Sequence, residues 1–270
     1  MGGQAVKEKA IETGLEGVTA KLVYNVCDGF KLNTLLISFV EHCRIFSTKH
    51  SFKEMSFVGN TYIDGVLFEK VRKSFEDKLP VDFDLGIDRK VIKSLGLVPE
   101  QIAILNTAVN MEHVAVCEEE YEDLKVYCFA SAGTTGNALR MGEDKANWTE
   151  RNGLYVSPLG TINVIVVTNA KLTDTAMARA IITVTEAKTA ALQDLNIKSS
   201  LDPKKQATGT GTDHVIIVSG TSSNKIIYCT SGHTKMGELI GIATKKAVTK
   251  ALKNHDGGLS FRFLLNFRKK

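Results

Sequence analysis

The stretch that decides the fold is TINVIVVTNAKLTDTAMARAIITVTEAKTAALQDL, residues 161–195. Its first eight residues are almost continuous Ile and Val, which is typical of a β-strand buried on both faces. Thr173 is placed to cap a helix that continues to about Leu195. Apolar residues recur along this helix at intervals of three or four, which predicts one face packed on the core. These residues are Met177, Ala180, Ile181, Val184, Ala187, Ala191 and Leu195.

Further strands and helices are predicted on both sides of this unit. Residues 21–27 and 32–40 form a predicted hairpin near the N-terminus. Residues 124–130 and 215–218 are β-favouring runs, and a last helix is expected from Thr234 to about Asn254. Strands and helices do not alternate strictly. The sequence therefore predicts an α/β protein with α+β connectivity, in which a single layered domain has a mixed β-sheet packed by long helices.

No break in composition and no flexible linker divides the chain, so we expect one main domain over residues 21–258. Residues 1–20 are polar and are predicted to form a helical extension. Residues 259–270 are predicted to form a basic C-terminal strand, because apolar and polar residues alternate along most of this segment. Such a strand is able to add to the sheet edge of a second copy, which would give a homo-oligomer.

The composition excludes several classes of protein. Lys and Arg number 34 and Asp and Glu 30, a net charge of +4 without a dense basic face, so no nucleic-acid partner is expected. No run approaches the ~18 apolar residues that a membrane span needs, and the N-terminus is too polar for a signal peptide. We therefore expect a cytoplasmic protein without a membrane partner. The five widely spaced cysteines and the absence of an HExxH motif predict buried thiols and no protein-bound metal.

Three short polar clusters interrupt the apolar framework, each at the end of a predicted strand. The first cluster comprises residues 131–137 with Asn169, the second is TGTGTD (208–213), and the third is SGHTKMGE (231–238). Because open sheets bind ligands at the ends of their strands, we expect the three clusters to share one crevice.

The third cluster combines a glycine turn with the start of a helix. Free backbone N–H groups at such a position suit a carboxylate, a phosphate or a developing oxyanion. It is not a P-loop, because the GxxxxGK[ST] pattern is absent. The second cluster precedes a strand rather than a helix, which excludes a Rossmann phosphate loop. A simple helix start capped by Ser231 or Thr234, with His233 exposed, remains equally compatible with the third cluster.

Two acidic residues are placed unusually. Glu186 lies between Ile182 and Ala190 on the predicted long helix, and apolar neighbours favour a raised pKa and acid–base chemistry. The alternative is a residue at the border of the core, paired with Lys188 or Arg179. Asp213 begins a strand, which is an unfavourable position for a carboxylate without a function.

These segments resemble the signatures of the adenosylcobinamide amidohydrolases. The resemblance is carried by TEAKTAAL (185–192), ATGTGTD (207–213) and GHTKMGELIG (232–241), preceded by SAGTTGNALRMG (131–142) and GTINVIVVTNAKLTDTAMARA (160–180). It is close over residues 124–254, whereas residues 45–65 depart from the serine-rich, double-glycine segment typical of the family. The resemblance implies a cobinamide salvage enzyme of cobalamin biosynthesis that hydrolyses the amide between aminopropanol and the corrin ring, giving adenosylcobyric acid. It implies a small-molecule corrinoid substrate that brings its own cobalt, and no other cofactor.

Amide hydrolysis needs an activated water or nucleophile, a partner for the oxyanion and an acid for the leaving amine. The candidates for catalysis are Glu186, Asp213, His233 and Glu238. Of these, Glu186 or Glu238 would activate water, and His233 would protonate the amine. The candidates for binding substrate are Ser131, Asn137, Asn169, Lys188, Thr210, Thr212 and Lys235. Either lysine, or the free N–H groups of the helix start, would also serve the oxyanion. A covalent route through Ser131 or through a threonine of the glycine loop also stays open.

Two other functions are compatible with the same residues. One is a nucleotide-binding transferase that uses the helix start at Gly232–Lys235. The other is a non-catalytic protein that binds a corrinoid in the same pocket.

Overall fold

The computed structural model describes residues 7–27, 29–67, 79–80, 83–146, 154–155 and 161–267. The strands are β1 (Lys7–Ile11), β2 (Val18–Cys27), β3 (Phe30–Ser47), β4 (Ser51–Tyr62), β5 (Leu79–Pro80), β6 (Ile102–Thr107), β7 (Ala115–Tyr121), β8 (Leu124–Ala132), β9 (Ala138–Leu139), β10 (Leu154–Tyr155), β11 (Ile162–Thr168), β12 (Ala170–Leu172), β13 (Gly209–Thr210), β14 (His214–Val218) and β15 (Ser222–Ile227). The helices are α1 (Phe83–Ser94), α2 (Asp174–Asp194) and α3 (Lys235–Phe267).

Nine of these strands form one mixed sheet. Its order is β1-β2-β3-β14-β11-β8-β7, and β4 pairs with β3 and with β6. The pairings of β11 with β14 and of β4 with β6 are parallel, and the others in this sheet are antiparallel. Strand β3 spans two halves of the sheet, because it pairs with β2 over its first part and with β14 over its last. The register between β3 and β4 shifts between Ser38 and Cys43, where the sheet curls.

The two halves of the curled sheet enclose an apolar core. Leu35 and Val58 from one half and Ile165 and Ile216 from the other belong to the same buried cluster. Helix α1 covers the outer face of the first half, where Val91 packs in a separate apolar cluster. The molecule therefore has helix, sheet, sheet and helix layers, and the predicted fold class is confirmed.

Helices α2 and α3 cover the outer face of β8, β11 and β14. Side chains of β11 point alternately to the two sides, so Ile162 and Val164 pack against these helices while Ile165 faces the core between the sheet halves. This double burial explains the nearly continuous apolar run in β11. Helix α2 begins as predicted, since the hydroxyl of Thr173 accepts the N–H of Ala176 at 3.2 Å.

The two ends of the chain differ from the expectations. The N-terminal extension is not helical over its described part, because β1 pairs with β2 over the whole run from Lys7 to Ile11. Without β1, strand β2 would be an edge strand with unpaired backbone N–H and C=O groups, and a polar segment can form hydrogen bonds with these groups as a further strand. At the C-terminus, α3 continues to Phe267, so the prediction of a strand there is wrong. A helix closes its backbone bonds locally, whereas the alternating segment would have needed a neighbouring strand.

Helix α2 leads from one end of β11 back to the other, and this arrangement defines two ends of the molecule. At the first residue of β11, the N–H of Ile162 donates to Asp213 Oδ1 at 3.0 Å. At its last residue, the hydroxyl of Thr168 lies 3.8 Å from Met236 Sδ. Six residue steps of ~3.3 Å separate these points, so the Asp213 end and the Met236 end lie about 20 Å apart along the strand.

Candidate active site

The centre of the Asp213 end is an ion pair between Lys188 of α2 and Asp213, which precedes β14. Both side chains are largely buried, at 11% and 15% exposed. Asp213 Oδ1 accepts the Thr210 hydroxyl at 2.5 Å and the Ile162 N–H, while Oδ2 accepts the Thr210 N–H at 3.1 Å and the Lys188 ammonium. Four donors therefore hold this carboxylate, and the carboxylate in turn fixes the ammonium.

The glycines of the second cluster are required because its backbone passes directly over this pair. A Cβ at Gly209 would lie 2.5 Å from Asp213 Oδ2 and 2.7 Å from Lys188 Nζ. A Cβ at Gly211 would lie 3.0 Å from Asn137 Oδ1. The alternating glycines thus allow close approach to buried polar groups, as expected for residues without a side chain.

The first and second clusters meet in the structure. Strand β13 pairs with β9, which follows the first cluster. Asn137 Nδ2 donates to the Thr212 hydroxyl at 3.3 Å, and the Thr161 hydroxyl donates to the Thr212 carbonyl at 2.6 Å. The prediction that these two clusters lie together is confirmed by these contacts.

A chain of buried polar side chains continues from this point into the core between the sheet halves. The Thr161 hydroxyl oxygen also lies 3.2 Å from Asn163 Oδ1, and Asn163 Nδ2 donates to Asn60 Oδ1 at 2.9 Å. Asn60 Nδ2 then donates to the Ser131 hydroxyl at 2.8 Å. Ser131 is fully buried, at 0% exposed, and this burial speaks against the covalent route through its hydroxyl.

The polar chain also reaches a second buried ion pair. Asn163 Nδ2 donates to the Asn106 carbonyl at 2.8 Å, and Asn106 Nδ2 donates to Asp88 Oδ1 at 2.8 Å. Lys49 Nζ lies 2.9 Å from Asp88 Oδ2. The Asp213 end therefore carries a network of amides and hydroxyls between two lysine–aspartate pairs, and sequence patterns pointed only to one of the pairs.

The third cluster lies at the Met236 end. His233 and Glu238 are exposed, and Lys235 Nζ pairs with Glu238 Oε2 at 2.7 Å, which raises the pKa of Lys235. The Thr234 hydroxyl accepts the Gly237 N–H at 3.1 Å and so caps α3. Because this cluster is about 20 Å from Asp213, the expectation of one shared crevice is wrong.

Asn169 also lies at the Met236 end, where its side chain serves the backbone. Its Oδ1 accepts the Lys125 N–H at 2.9 Å, and its Nδ2 donates to the Asp123 carbonyl at 2.7 Å. These bonds hold the turn between β7 and β8. Asn169 is thus removed from the other members of the first cluster.

Glu186 is exposed on α2. It is two residues from Lys188, which places the two side chains about 200° apart around the helix. The alternative pairing of Glu186 with Lys188 is also wrong, since Lys188 pairs with Asp213. Residues two apart lie on opposite sides of a helix, so the spacing itself argues against this pairing.

His255 is a residue at the Asp213 end that the sequence patterns missed. A Cβ at Gly133 of the first cluster would lie 3.0 and 3.1 Å from two atoms of the His255 ring. The His113 ring is also near, with 5.6 Å between the ring centroids. The length of α3 could have indicated this position. His255 is 19 residues after Met236, and at ~1.5 Å per residue the helix runs about 28 Å back to the Asp213 end.

A cavity of about 670 Å³ opens at the Met236 end. It is lined by the loop 14–18, by β3 around Val40, by the end of β11 and by residues 218–222. No group of three or more His, Cys, Asp or Glu side chains placed to hold a metal ion occurs in the described part of the chain. Within the same residues, none of the helices has the length and apolar character needed to cross a membrane.

Comparisons with known proteins agree with the resemblance seen in the sequence. Residues 19–259 match the adenosylcobinamide amidohydrolase family. An uncharacterised protein of Methanocaldococcus jannaschii, MJ1613, is 42% identical over 233 residues, which are 83% of this chain and 87% of that protein. The adenosylcobinamide amidohydrolase of Methanosarcina mazei is 29% identical over 202 residues, covering 72% of this chain and 85% of the relative.

Two solved structures resemble this one at a TM-score of 0.40. They are the PH0078 protein from Pyrococcus horikoshii OT3, 11% identical, and the L-aminopeptidase D-Ala-esterase/amidase from Ochrobactrum anthropi, 9% identical. Each likeness covers 89% of this chain and 85% of the other. The family match spans most of the chain and includes both buried ion pairs and the polar network between them. The chain therefore belongs to the adenosylcobinamide amidohydrolase family and is an amidohydrolase, a hydrolase of carbon–nitrogen amide bonds.

Proposed function

We propose that this chain hydrolyses the amide that joins aminopropanol to the corrin ring of adenosylcobinamide, with adenosylcobyric acid and aminopropanol as the products. The observation that carries the proposal is the family match over residues 19–259. This reaction would serve cobamide salvage in the cytoplasm. Cobalt belongs to the substrate in this proposal, and the protein itself holds no cofactor.

We place the reaction at the Asp213 end. An amide bond is polar and uncharged, and its hydrolysis needs hydrogen-bond donors and a fixed charge in a site partly shielded from water. The Asp213 end supplies these in the pair of Lys188 and Asp213 and in the side chains of Thr210, Thr212 and Asn137. His233 and Glu238 of the third cluster are exposed, and the cluster lies about 20 Å away, so we assign its residues no step in the reaction.

The proton transfers of the reaction need a group that both accepts and donates. Both oxygens of Asp213 already accept two bonds each, and Glu186 is exposed about 200° around α2 from Lys188, so neither carboxylate is well placed to take a proton from water. The imidazole of His255 lies beside the first cluster and is suited to both roles. It would take one proton from the attacking water and return it to the amine nitrogen as the C–N bond breaks.

The experiment is to incubate the purified full chain with adenosylcobinamide in water enriched in ¹⁸O. Mass spectrometry should detect adenosylcobyric acid with one ¹⁸O atom in the new carboxylate, and free aminopropanol in equal amount. Adenosylcobyric acid added as substrate is the control and should stay unlabelled. Cobinamide without the adenosyl group measures how strongly the upper ligand is recognised.

Other outcomes distinguish the alternative functions. Corrinoid binding, detected by a change in its visible spectrum, without product would favour a non-catalytic binding protein. Product that forms only with added nucleotide would favour the transferase. The absence of both corrinoid binding and product would contradict the proposed function.

A further inference from the structure

The ammonium of Lys188 donates one of its N–H groups to Asp213 and has the others available. Asp213 is its hydrogen-bond partner within the described part of the chain, so two of its three N–H groups are left for another acceptor. The side chain is 11% exposed, which leaves a narrow access from solvent. A cation in this position is both fixed in direction and poorly hydrated, and these two properties make a charge effective in catalysis.

The backbone beside the ammonium keeps a space clear. At Gly209 a Cβ would come within 2.7 Å of Nζ, closer than any side chain can lie without displacing the lysine. Thr210 follows immediately and donates twice to Asp213, so the same loop that leaves the space open also fixes the carboxylate. The loop therefore positions the pair and does not cover the nitrogen with a side chain.

We propose that Lys188 is the catalytic residue that binds the carbonyl oxygen of the scissile amide and stabilises the oxyanion. This inference rests on the proposed function. As the oxygen of water adds to the amide carbon, the π pair of the carbonyl moves to its oxygen, where the Lys188 ammonium donates a hydrogen bond. The tetrahedral species then re-forms C=O and expels the amine, whose nitrogen receives the proton that left the water. Asp213 and Gly209 are positioning residues that act through Lys188.

A purely structural role is the competing explanation, because loss of one partner from a buried ion pair is strongly destabilising. The two explanations predict different values of kcat for a variant in which both charges of the pair are removed. The double variant K188M/D213N removes both charges together, and its new amide still offers an acceptor oxygen to Thr210. The neutral pair lowers stability, because the new amide nitrogen faces one of the backbone N–H groups that donate to Asp213. If the pair is only structural, the folded variant keeps its kcat; if Lys188 binds the oxyanion, kcat falls.

The test measures kcat, KM and corrinoid binding for the wild type, K188M, K188M/D213N and a matched control. The control is K245M/D194N, which removes the exposed pair between Lys245 of α3 and Asp194 of α2, 2.6 Å apart. We expect K188M/D213N to lose about 100- to 1,000-fold in kcat, as for removal of an oxyanion donor, with KM and binding within about threefold. The control should keep its kcat within about twofold.

A second pair of variants tests the role of Gly209 without removing a charge. G209A should lower kcat at least tenfold while corrinoid binding persists, because the new Cβ displaces the ammonium. The matched control is G86A, at an exposed position of α1 where a Cβ meets nothing within 4 Å. It should leave kcat unchanged.

The outcomes separate this inference from the proposed function. A wild type without turnover contradicts the proposed function and the role of Lys188 with it. An active wild type together with a K188M/D213N variant within about threefold of its kcat contradicts the role of Lys188 alone. If the double variant fails to fold, G209A decides: normal kcat in that variant overturns the inference.

Discussion

The side-chain amide of Asn163 donates to the side-chain oxygen of Asn60 at 2.9 Å, and this bond joins the two halves of the curled sheet. Both residues are buried, at 1% and 2% exposed. Asn163 lies in the apolar strand β11, and Asn60 lies in β4 of the opposite half. A buried amide pair of this kind keeps the register of the two halves and links the interior to the Asp213 end.

Replacing Asn163 with Ala should destabilise the protein without exposing new surface. The change leaves Asn60 Oδ1 and the Asn106 carbonyl without this donor, and each buried unsatisfied group costs about 1–3 kcal/mol. We expect the free energy of unfolding to fall by about 2–6 kcal/mol, measured by urea denaturation. Asn224→Ala, on an exposed strand position, should stay within about 0.5 kcal/mol of the wild type.

Replacing His255 with Ala should lower turnover of adenosylcobinamide about 100-fold while corrinoid binding persists, because the proton carrier is lost. His42→Ala, at an exposed position of β3, is the matched control and should keep normal kinetics. Steady-state rates over a range of pH check the result. A normal rate for His255→Ala would remove this residue from the chemistry.

The same measurement on His233→Ala decides between the two ends of the molecule. If His233 were the acid that protonates the leaving amine, its replacement would lower turnover at least about 100-fold. Its position at the Met236 end instead predicts a rate within about threefold of the wild type. A hundredfold loss of turnover would instead indicate that the reaction takes place at the third cluster.

His50 should make stability depend on pH. Burial lowers the pKa of His50 below its ordinary value, and Lys49 and Lys53 lower it further, against the opposing effects of the Ile104 carbonyl and Asp88. Between the folded and unfolded pKa values, the unfolded chain binds more protons than the folded one. The contribution of His50 is therefore complete above the unfolded value of about 6.5 and is lost as the pH falls below it.

A comparison of variants isolates this contribution. His50→Gln keeps a donor for the Ile104 carbonyl, to which the ring now donates at 2.8 Å, but does not titrate in this range. Its free energy of unfolding should fall less than that of the wild type between pH 7.5 and 5.0. His42→Gln, at an exposed position of β3, is measured beside it as the matched replacement. Parallel curves for His50→Gln and the wild type would contradict the prediction.

The cysteines should differ sharply in reactivity. Hydrogen bonding to Ser231 lowers the pKa of the Cys229 thiol, whereas burial raises the pKa of Cys128 to about 12 and of Cys43 to about 11. Since the thiolate is the reactive form, iodoacetamide at pH 7.5 should modify Cys229 first and Cys128 last. Peptide mass spectrometry over time checks this order. Equal rates at Cys128 and Cys229 in the folded protein would contradict it.

Local features of the sequence predicted much of the fold. The alternating β-favouring residues of β2 and β3, the apolar run of β11 and the cap at Thr173 act within a few residues, so the pattern identifies the element directly. For the C-terminal segment the local pattern predicted the wrong element. Its residues alternate as in a strand, but a strand also requires a neighbouring strand to pair with. The polar residue inside β11, Asn163, was a usable signal of a buried contact, but its partner in β4 is over 100 residues away.

The candidate site shows the same division. The sequence by itself determined the family, the layered α/β class, and the glycine and threonine turns that pass close to polar groups. Only the tertiary structure decided which clusters meet. The packing of α2 against β14 brings Lys188 to Asp213, and the length of β11 keeps His233 about 20 Å from them. Both outcomes depend on contacts between distant segments, which strand ends and residue spacing do not encode.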